Sequence, residues 1–593
     1  MNNQKDHHHF HIPVMGLAFT IDTPVKVAHL GISSVISIVQ DNLIEKMRTY
    51  YYEQIREDYV PIKTGEADFR ARRITDYLNL IKRLVDGKVE KLRTSPFGVG
   101  ADIDRYFELL PDTSTIKESY HRMCRMEEGI DKRAIQDELR AQIRAGSIDV
   151  NIMTKLDKNA HDANGEEITD GSDAVAALRG FAKSELSDST VVLSAGMNPR
   201  LFAYMEKLDA FNADSSGVFQ KKIAVKVSDY RSALIQGKML AKKGLWVSEF
   251  RIESGLNCGG HAFATDGLLL GPILEEFKNN REELKSSLSE IYLQACLGRG
   301  LVNAPSSLNL KITVQGGIGS HEENQLLLQH YQVDSTGWGT PFLLVPEATT
   351  VDEATLKSLA TAGEEDVVLS HNSPLGVRFH YLKGSSAEKE KLERIAKGKP
   401  GSPCTEKYLV SNNEFGGEMI CTASRAYQKK KLESLKLDDL DQEAYQIQKQ
   451  RVLDKECLCV GLSNAAVLEN SLEPFKNRQA TNICPGPNIA YFSDVVSLKT
   501  MIDHIYGRCN VLKGQRPHMF LKELSLYSDY WNELLEDKNA LLSTRQMKYV
   551  RKFHENLIEG INYYRQLSGQ LKNKFSELST EMDELAVCYV IYG

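Results

Sequence analysis

The residues of this chain whose types and spacing could do chemistry are three glycine turns and one histidine. "NCGGHAF" places Gly259 and Gly260 directly before His261. "TVQGGIGSHEEN" ends a β-branched run in Gly316, Gly317 and Ile318, and "VDSTGWGTPF" ends another in Gly337, Gly339 and Thr340. Glycine lets a backbone come close to a ligand, and N–H groups at a turn that opens a helix attract an anion. One such loop is ordinarily a tight turn. Two successive strand ends built alike point to a phosphorylated cofactor. Imidazole, the side chain whose unperturbed pKa lies nearest neutrality, suits His261 to proton transfer beside it.

The elements that must hold these turns are short apolar runs at 11–20, 31–39, 147–155, 189–197, 221–229, 245–254, 309–319 and 332–342, alternating with helix-like segments such as "DYRSALIQGKMLAKKG". Eight buried strands interleaved with helices predict an α/β fold, most simply a TIM (β/α)8 barrel. In such a barrel the active site lies at the C-terminal ends of the strands, and phosphate sits at the loops after the last two.

The predicted barrel occupies residues 1–385. A helical insertion after the second strand covers about 40–146, with amphipathic stretches such as "ARRITDYLNLIKRLVDGKVEKL" that could form a lid or an interface. Residues 386–510 form a polar, cysteine-bearing extension, and 511–593 read as a C-terminal helical region, a cap or a homo-oligomer contact.

The run "VQGGIGSHEENQLLLQHYQVDSTGWGTPFLLVPEATT" resembles the last two strands of the nitronate monooxygenase (2-nitropropane dioxygenase) family. That family has Gly-Gly-Ile, a helix, a Gly-Thr-x-Phe phosphate turn and a Glu-Ala pair, here Gly316 to Ile318, Gly339, Thr340, Phe342, Glu347 and Ala348. The family also carries Gly-Gly-His after its sixth strand. Its Pro-x-Met element under the flavin resembles the segment with Met15 and Gly16, and its polar strand-end residues fall on Asn151 and Ser228. Cys258 stands where the family commonly has Ala, Trp338 enters the phosphate turn, and short members lack the insertion. FMN-dependent enoyl-acyl carrier reductases share the same Gly-Gly-His logic. The resemblance implies an FMN-dependent oxidoreductase on a small or acyl substrate, with His261 polarising the substrate or acting as acid/base over the flavin.

Five of the ten cysteines lie within 81 residues. Thiolates so gathered could hold an iron–sulfur cluster or zinc, with Cys404, Cys421, Cys459 and Cys484 as ligands and Cys457 the alternative, although the spacing matches no established pattern. The histidines of "HHHFH" (7–11) could also bind metal. Two other functions compete with the flavoenzyme. One is a metal- or Fe–S-dependent barrel enzyme; the other is a non-catalytic barrel that assembles with a partner.

A formal charge of -7 and no long basic stripe argue against nucleic acid as a partner. No apolar stretch approaches the roughly 20 residues of a membrane span, and the N-terminal residues lack a secretion-signal layout, so a cytoplasmic protein is expected. No Gly-x-Gly-x-x-Gly unit marks a separate nicotinamide domain, which leaves the electron donor open.

Overall fold

The computed structural model describes residues 6–571 apart from 155, 162–163, 195, 302–304, 306–307, 436–441 and 537–543. The last part of the expected helical tail, 572–593, thus lies outside the described residues. Each of the eight apolar runs contains a strand. In chain order the strands are β1 (Phe10–Ile12), β2 (Ser33–Ser37), β3 (Ile148–Ile152), β4 (Ser189–Leu193), β5 (Lys221–Val227), β6 (Val247–Glu253), β7 (His261–Ala262), β8 (Lys311–Gln315) and β9 (Ser335–Gly337). All except β7 form one closed parallel barrel, in which β1 pairs with both β2 and β9. The fold is an α/β TIM-type barrel. Its strands are largely buried on both faces because one face meets the barrel interior and the other the surrounding helices, although buried charged residues such as Asp149, Glu249 and Arg251 lie on them.

His261 stands outside the barrel wall. β7 pairs antiparallel with β11 (Arg378–Leu382), which pairs with β10 (Val367–Ser370), and His261 lies opposite Phe379. This small sheet holds the histidine over the barrel mouth.

The insertion forms helices Asp41–Gln54, Phe69–Thr94, Asp102–Leu109, Thr115–Cys124 and Ile130–Gln142. Phe69–Thr94 lies tightly on helix Asp173–Lys183, where a side chain at Gly180 would meet Ile74 at 2.8 Å. Asp41 receives Arg70 at 2.6 Å, Arg73 at 2.8 Å and the Tyr408 hydroxyl at 3.2 Å, all buried. The insertion is thereby bound to the barrel's flank and to the extension. None of the residues of its described helices lines the cavity at the barrel mouth.

Tail helices Met519–Glu536 and Thr544–Leu571 pack against the long helix Leu270–Gly298. Buried side chains of the barrel, extension and tail belong to one continuous core. No described helix is long and apolar enough to cross a membrane.

Glu523 joins these layers. Its carboxyl accepts from Ser254 Oγ at 2.5 Å, Leu270 N–H at 2.8 Å and Tyr564 OH at 3.1 Å. Burial outweighs those donors and pushes its pKa up from 4.5 to about 7. A carboxyl with a raised folded pKa contributes stability that is full below its unfolded value and lost as pH rises through the folded one. Stability relative to Glu523→Gln should therefore fall by roughly 3 kcal/mol between pH 4.5 and neutrality. Urea unfolding of both proteins across that range checks this, parallel pH profiles being the contrary result.

Candidate functional site

A cavity of about 310 Å³ opens at the C-terminal ends of the barrel strands. Met15, Gly16, Asn151, Gly259, Gly260, Gly316, Gly317, Ile318, Gly337, Gly339 and Thr340 all line it, and so does His261. Of the residues expected there, Ser228 alone lies elsewhere. It follows the last residue of β5, where strand alternation has ended, and its hydroxyl bonds the helix-capping Asp229 at 3.2 Å.

The glycine turns have the shape their sequence suggested. Gly316 and Gly317 have φ of +109° and +75°, in the region that glycine occupies without strain, and a side chain at Gly317 would strike Asn257 Nδ2 at 2.1 Å. Gly337 lies against Gln315 and His11, and Gly339 against Pro13 and Met15. Among the described residues, the N–H groups of Gly317, Ile318, Gly339 and Thr340 have no protein acceptor. Four such donors lie on two turns that line the same cavity.

A buried ion pair supports these turns from behind. Glu323 accepts from Arg516 at 2.6 Å and from the N–H groups of Gly319 and Met519, and it closes a capping box with Ser320. Arg516 also donates to the Gly317 carbonyl.

Beside the turns the cavity also presents polar side chains. Lys226 Nζ pairs with Glu253 at 3.0 Å, and Gln315 Nε2 donates to the same carboxylate at 2.6 Å. Asn151 Oδ1 is buried with no hydrogen-bond partner among the described residues, which leaves an acceptor for a ligand N–H. The sequence reading missed Lys226, Glu253 and Gln315. Their signal was a charged or amide residue at or next to the C-terminal end of a barrel strand.

His261 Nε2 lies 2.8 Å from Ser373 Oγ, which also accepts from Leu375 N–H, and the ring rests on Phe379 with centroids 4.9 Å apart. The histidine faces two spaces. A second cavity of about 620 Å³ shares Glu253, Cys258, His261 and Phe263 with the first. Ser228, Arg378, and Tyr530, Glu533 and Tyr549 of the tail line it, so the tail walls this cavity as well as covering the barrel.

The extension forms a further wall. Cys484 O accepts from Gly260 N–H at 3.1 Å, and Gly486 N–H donates to Thr340 Oγ1 at 2.9 Å. Tyr408, Leu458, Cys459, Ile483 and Asn488 line the same cavity.

The expected metal set of Cys404, Cys421, Cys459 and Cys484 does not assemble. Its bond to Gly260 places Cys484 at the barrel mouth, whereas Cys404, Cys421, Cys457 and Cys459 line a separate small cavity. Among the described residues no group of three or more His, Cys, Asp or Glu is arranged to hold a metal. The N-terminal histidines do not converge on a metal site either. His8 is half-buried with Nδ1 2.7 Å from Tyr506 OH, and His11 is buried in β1.

No family model matches the chain, and no curated protein does. Among solved structures the chain is similar to the enoyl reductase domain of MlnA from the macrolactin biosynthesis cluster of Bacillus amyloliquefaciens. That match has 16% identity and a TM-score of 0.31, covering 70% of this chain and 87% of that one.

The two glycines before His261 are there for different reasons. A side chain at Gly259 would meet Cys484 O at 2.6 Å, whereas Gly260 has φ +78° and open space around it. Gly259→Ala should cost about 1–3 kcal/mol through crowding and speed alkylation of Cys484. Gly260→Ala should cost about 1–2 kcal/mol through backbone strain alone and leave Cys484 as protected as in the wild type. Denaturant unfolding and mass-resolved alkylation measure both.

Proposed function

We propose that the protein is an FMN-dependent oxidoreductase of the nitronate monooxygenase-like type, acting on a small or acyl substrate. The observation that carries this reading is the convergence of the glycine turns, Met15, Gly16, Asn151 and His261 on one cavity at the barrel mouth. The N–H groups of Gly317, Ile318, Gly339 and Thr340 would hold the phosphate. Met15, Gly16 and the unpartnered Asn151 Oδ1 would receive the ring and one of its N–H groups. When bound, FMN supplies hydride or one-electron chemistry.

The chain's own residues position, shield and move protons. His261, oriented by Ser373 and Phe379, faces both cavities, so its imidazole can give a proton to a substrate entering from the larger one or take a proton from it. Lys226 and Gln315 hold the Glu253 carboxylate at the boundary of the two spaces. The extension around Cys484 and the β10–β11–β7 sheet cover the mouth and exclude water.

Full-length protein should take up one FMN per chain and turn yellow, and a colourless protein that binds none would overturn the reading. Gly317→Ala should lose the flavin. His261→Ala should keep it and lose about 10²- to 10⁴-fold in turnover with a nitronate or a 2-enoyl thioester, whichever the wild type uses. Stopped-flow reduction of the oxidised flavin by the nitronate, or reoxidation of the reduced flavin by the 2-enoyl thioester, measures the loss, and unchanged turnover removes His261 from the mechanism.

A further inference from the structure

The extension does more than wall the cavity, because it also grips the turn between β10 and β11 that carries Ser373. Four consecutive carbonyls of that turn, those of residues 371 to 374, accept hydrogen bonds from extension residues. Lys455 Nζ donates to His371 O at 2.7 Å and to Ser373 O at 3.1 Å. Glu456 N–H donates to Asn372 O at 3.0 Å, and Thr422 Oγ1 donates to Pro374 O at 2.8 Å. The turn is thus fixed from outside the barrel.

Ser373 is fully buried, so its hydroxyl has to find its partners within the protein. Its oxygen accepts from Leu375 N–H at 3.1 Å. Among the described residues, the one acceptor in reach of its O–H is His261 Nε2, at 2.8 Å. Were Nε2 to carry a proton instead, the Ser373 oxygen would receive two donors and its own hydrogen would be buried without an acceptor. Leaving a buried donor unsatisfied disfavours that arrangement by about five-fold to over a hundred-fold in population.

We propose that Ser373, clamped by the extension, is a positioning residue that holds neutral His261 with Nε2 unprotonated and the proton on Nδ1. Imidazole has two nitrogens, and the Ser373 hydroxyl occupies the basic one. What the ring offers a ligand is then the Nδ1–H, a donor. This assignment rests on the flavoenzyme reading and narrows it: His261 polarises a substrate oxygen, the carbonyl of an acyl group, and takes no proton from carbon. A neutral imidazole can polarise a carbonyl in this way. A general base needs its unprotonated nitrogen aimed at the substrate, and here that nitrogen is capped.

The test labels the histidines of the full-length protein with nitrogen-15 and assigns the His261 signals by their loss in His261→Asn. At a pH where the ring is neutral, long-range nitrogen–proton spectra should show Nδ1 protonated and Nε2 bare, the reverse of the form that free neutral histidine favours. In Ser373→Ala the proton should move to Nε2, and in Lys455→Met the signals should shift in the same direction. A wild-type ring protonated on Nε2 would overturn the proposal, and so would a Ser373→Ala or Lys455→Met spectrum identical to the wild type. Turnover is the second arm. In flavin-loaded protein, His261→Asn keeps an amide N–H where Nδ1–H stood, so it should reduce a 2-enoyl thioester within about ten-fold of the wild-type rate, whereas His261→Ala should not. An asparagine variant as slow as the alanine one would overturn the donor role, as would a wild type that loads FMN and leaves the thioester unreduced. A chain that takes up no FMN would sink the flavoenzyme reading and leave the position of the proton to be decided by the spectra.

Discussion

The constraint on which the site depends is the buried pairing of Glu323 with Arg516. A guanidinium and a carboxylate taken out of water need each other, and removing either leaves an uncompensated charge inside the protein. Here the pair does more than offset two desolvation costs. Glu323 holds the N–H groups that open the helix after β8, while Arg516 holds the Gly317 carbonyl, so the outward-facing amides of that turn keep one orientation. A preorganised anion site costs little reorganisation when a ligand arrives. The arginine comes from the segment leading into the tail helices, which makes that segment part of the site's support.

The barrel was legible because its strands are largely buried on both faces and so appear as short runs rich in β-branched residues, ending near glycine or a small polar residue. The glycine turns were legible for a related reason, since only glycine tolerates the contact at Gly317 with Asn257 or at Gly259 with Cys484. Lys226, Glu253 and Gln315 escaped because a polar residue in an apolar strand can face either the interior or the mouth, and strand register decides which. Ser228 was misplaced because alternation stops at Val227, one residue before it. The walls from the extension were illegible. Cys484 reaches Gly260 and Gly486 reaches Thr340 through single hydrogen bonds across long sequence separations, and no local pattern encodes them.

The same separation explains the cysteines. Read along the chain, Cys484 belongs with the other four, but one main-chain bond draws it to the barrel mouth and leaves Cys404, Cys421, Cys457 and Cys459 around a space of their own. His261 shows a parallel displacement. Its neighbouring glycines suggested a barrel strand end, yet a two-residue strand in a separate sheet carries it, and that sheet is built partly from residues more than a hundred positions later. The cavity is thus a composite, with its floor from the barrel and its roof from later segments.

That composite has a consequence for the order of events during synthesis. The strands that make the floor emerge from the ribosome first, but the wall at Cys484 and Gly486 and the clamp at Arg516 emerge only after the whole barrel has been made. On the nascent chain the mouth is open and its glycine turns lack their support from behind. A ligand of this cavity therefore meets a finished pocket only after the segments carrying Gly486 and Arg516 have been made.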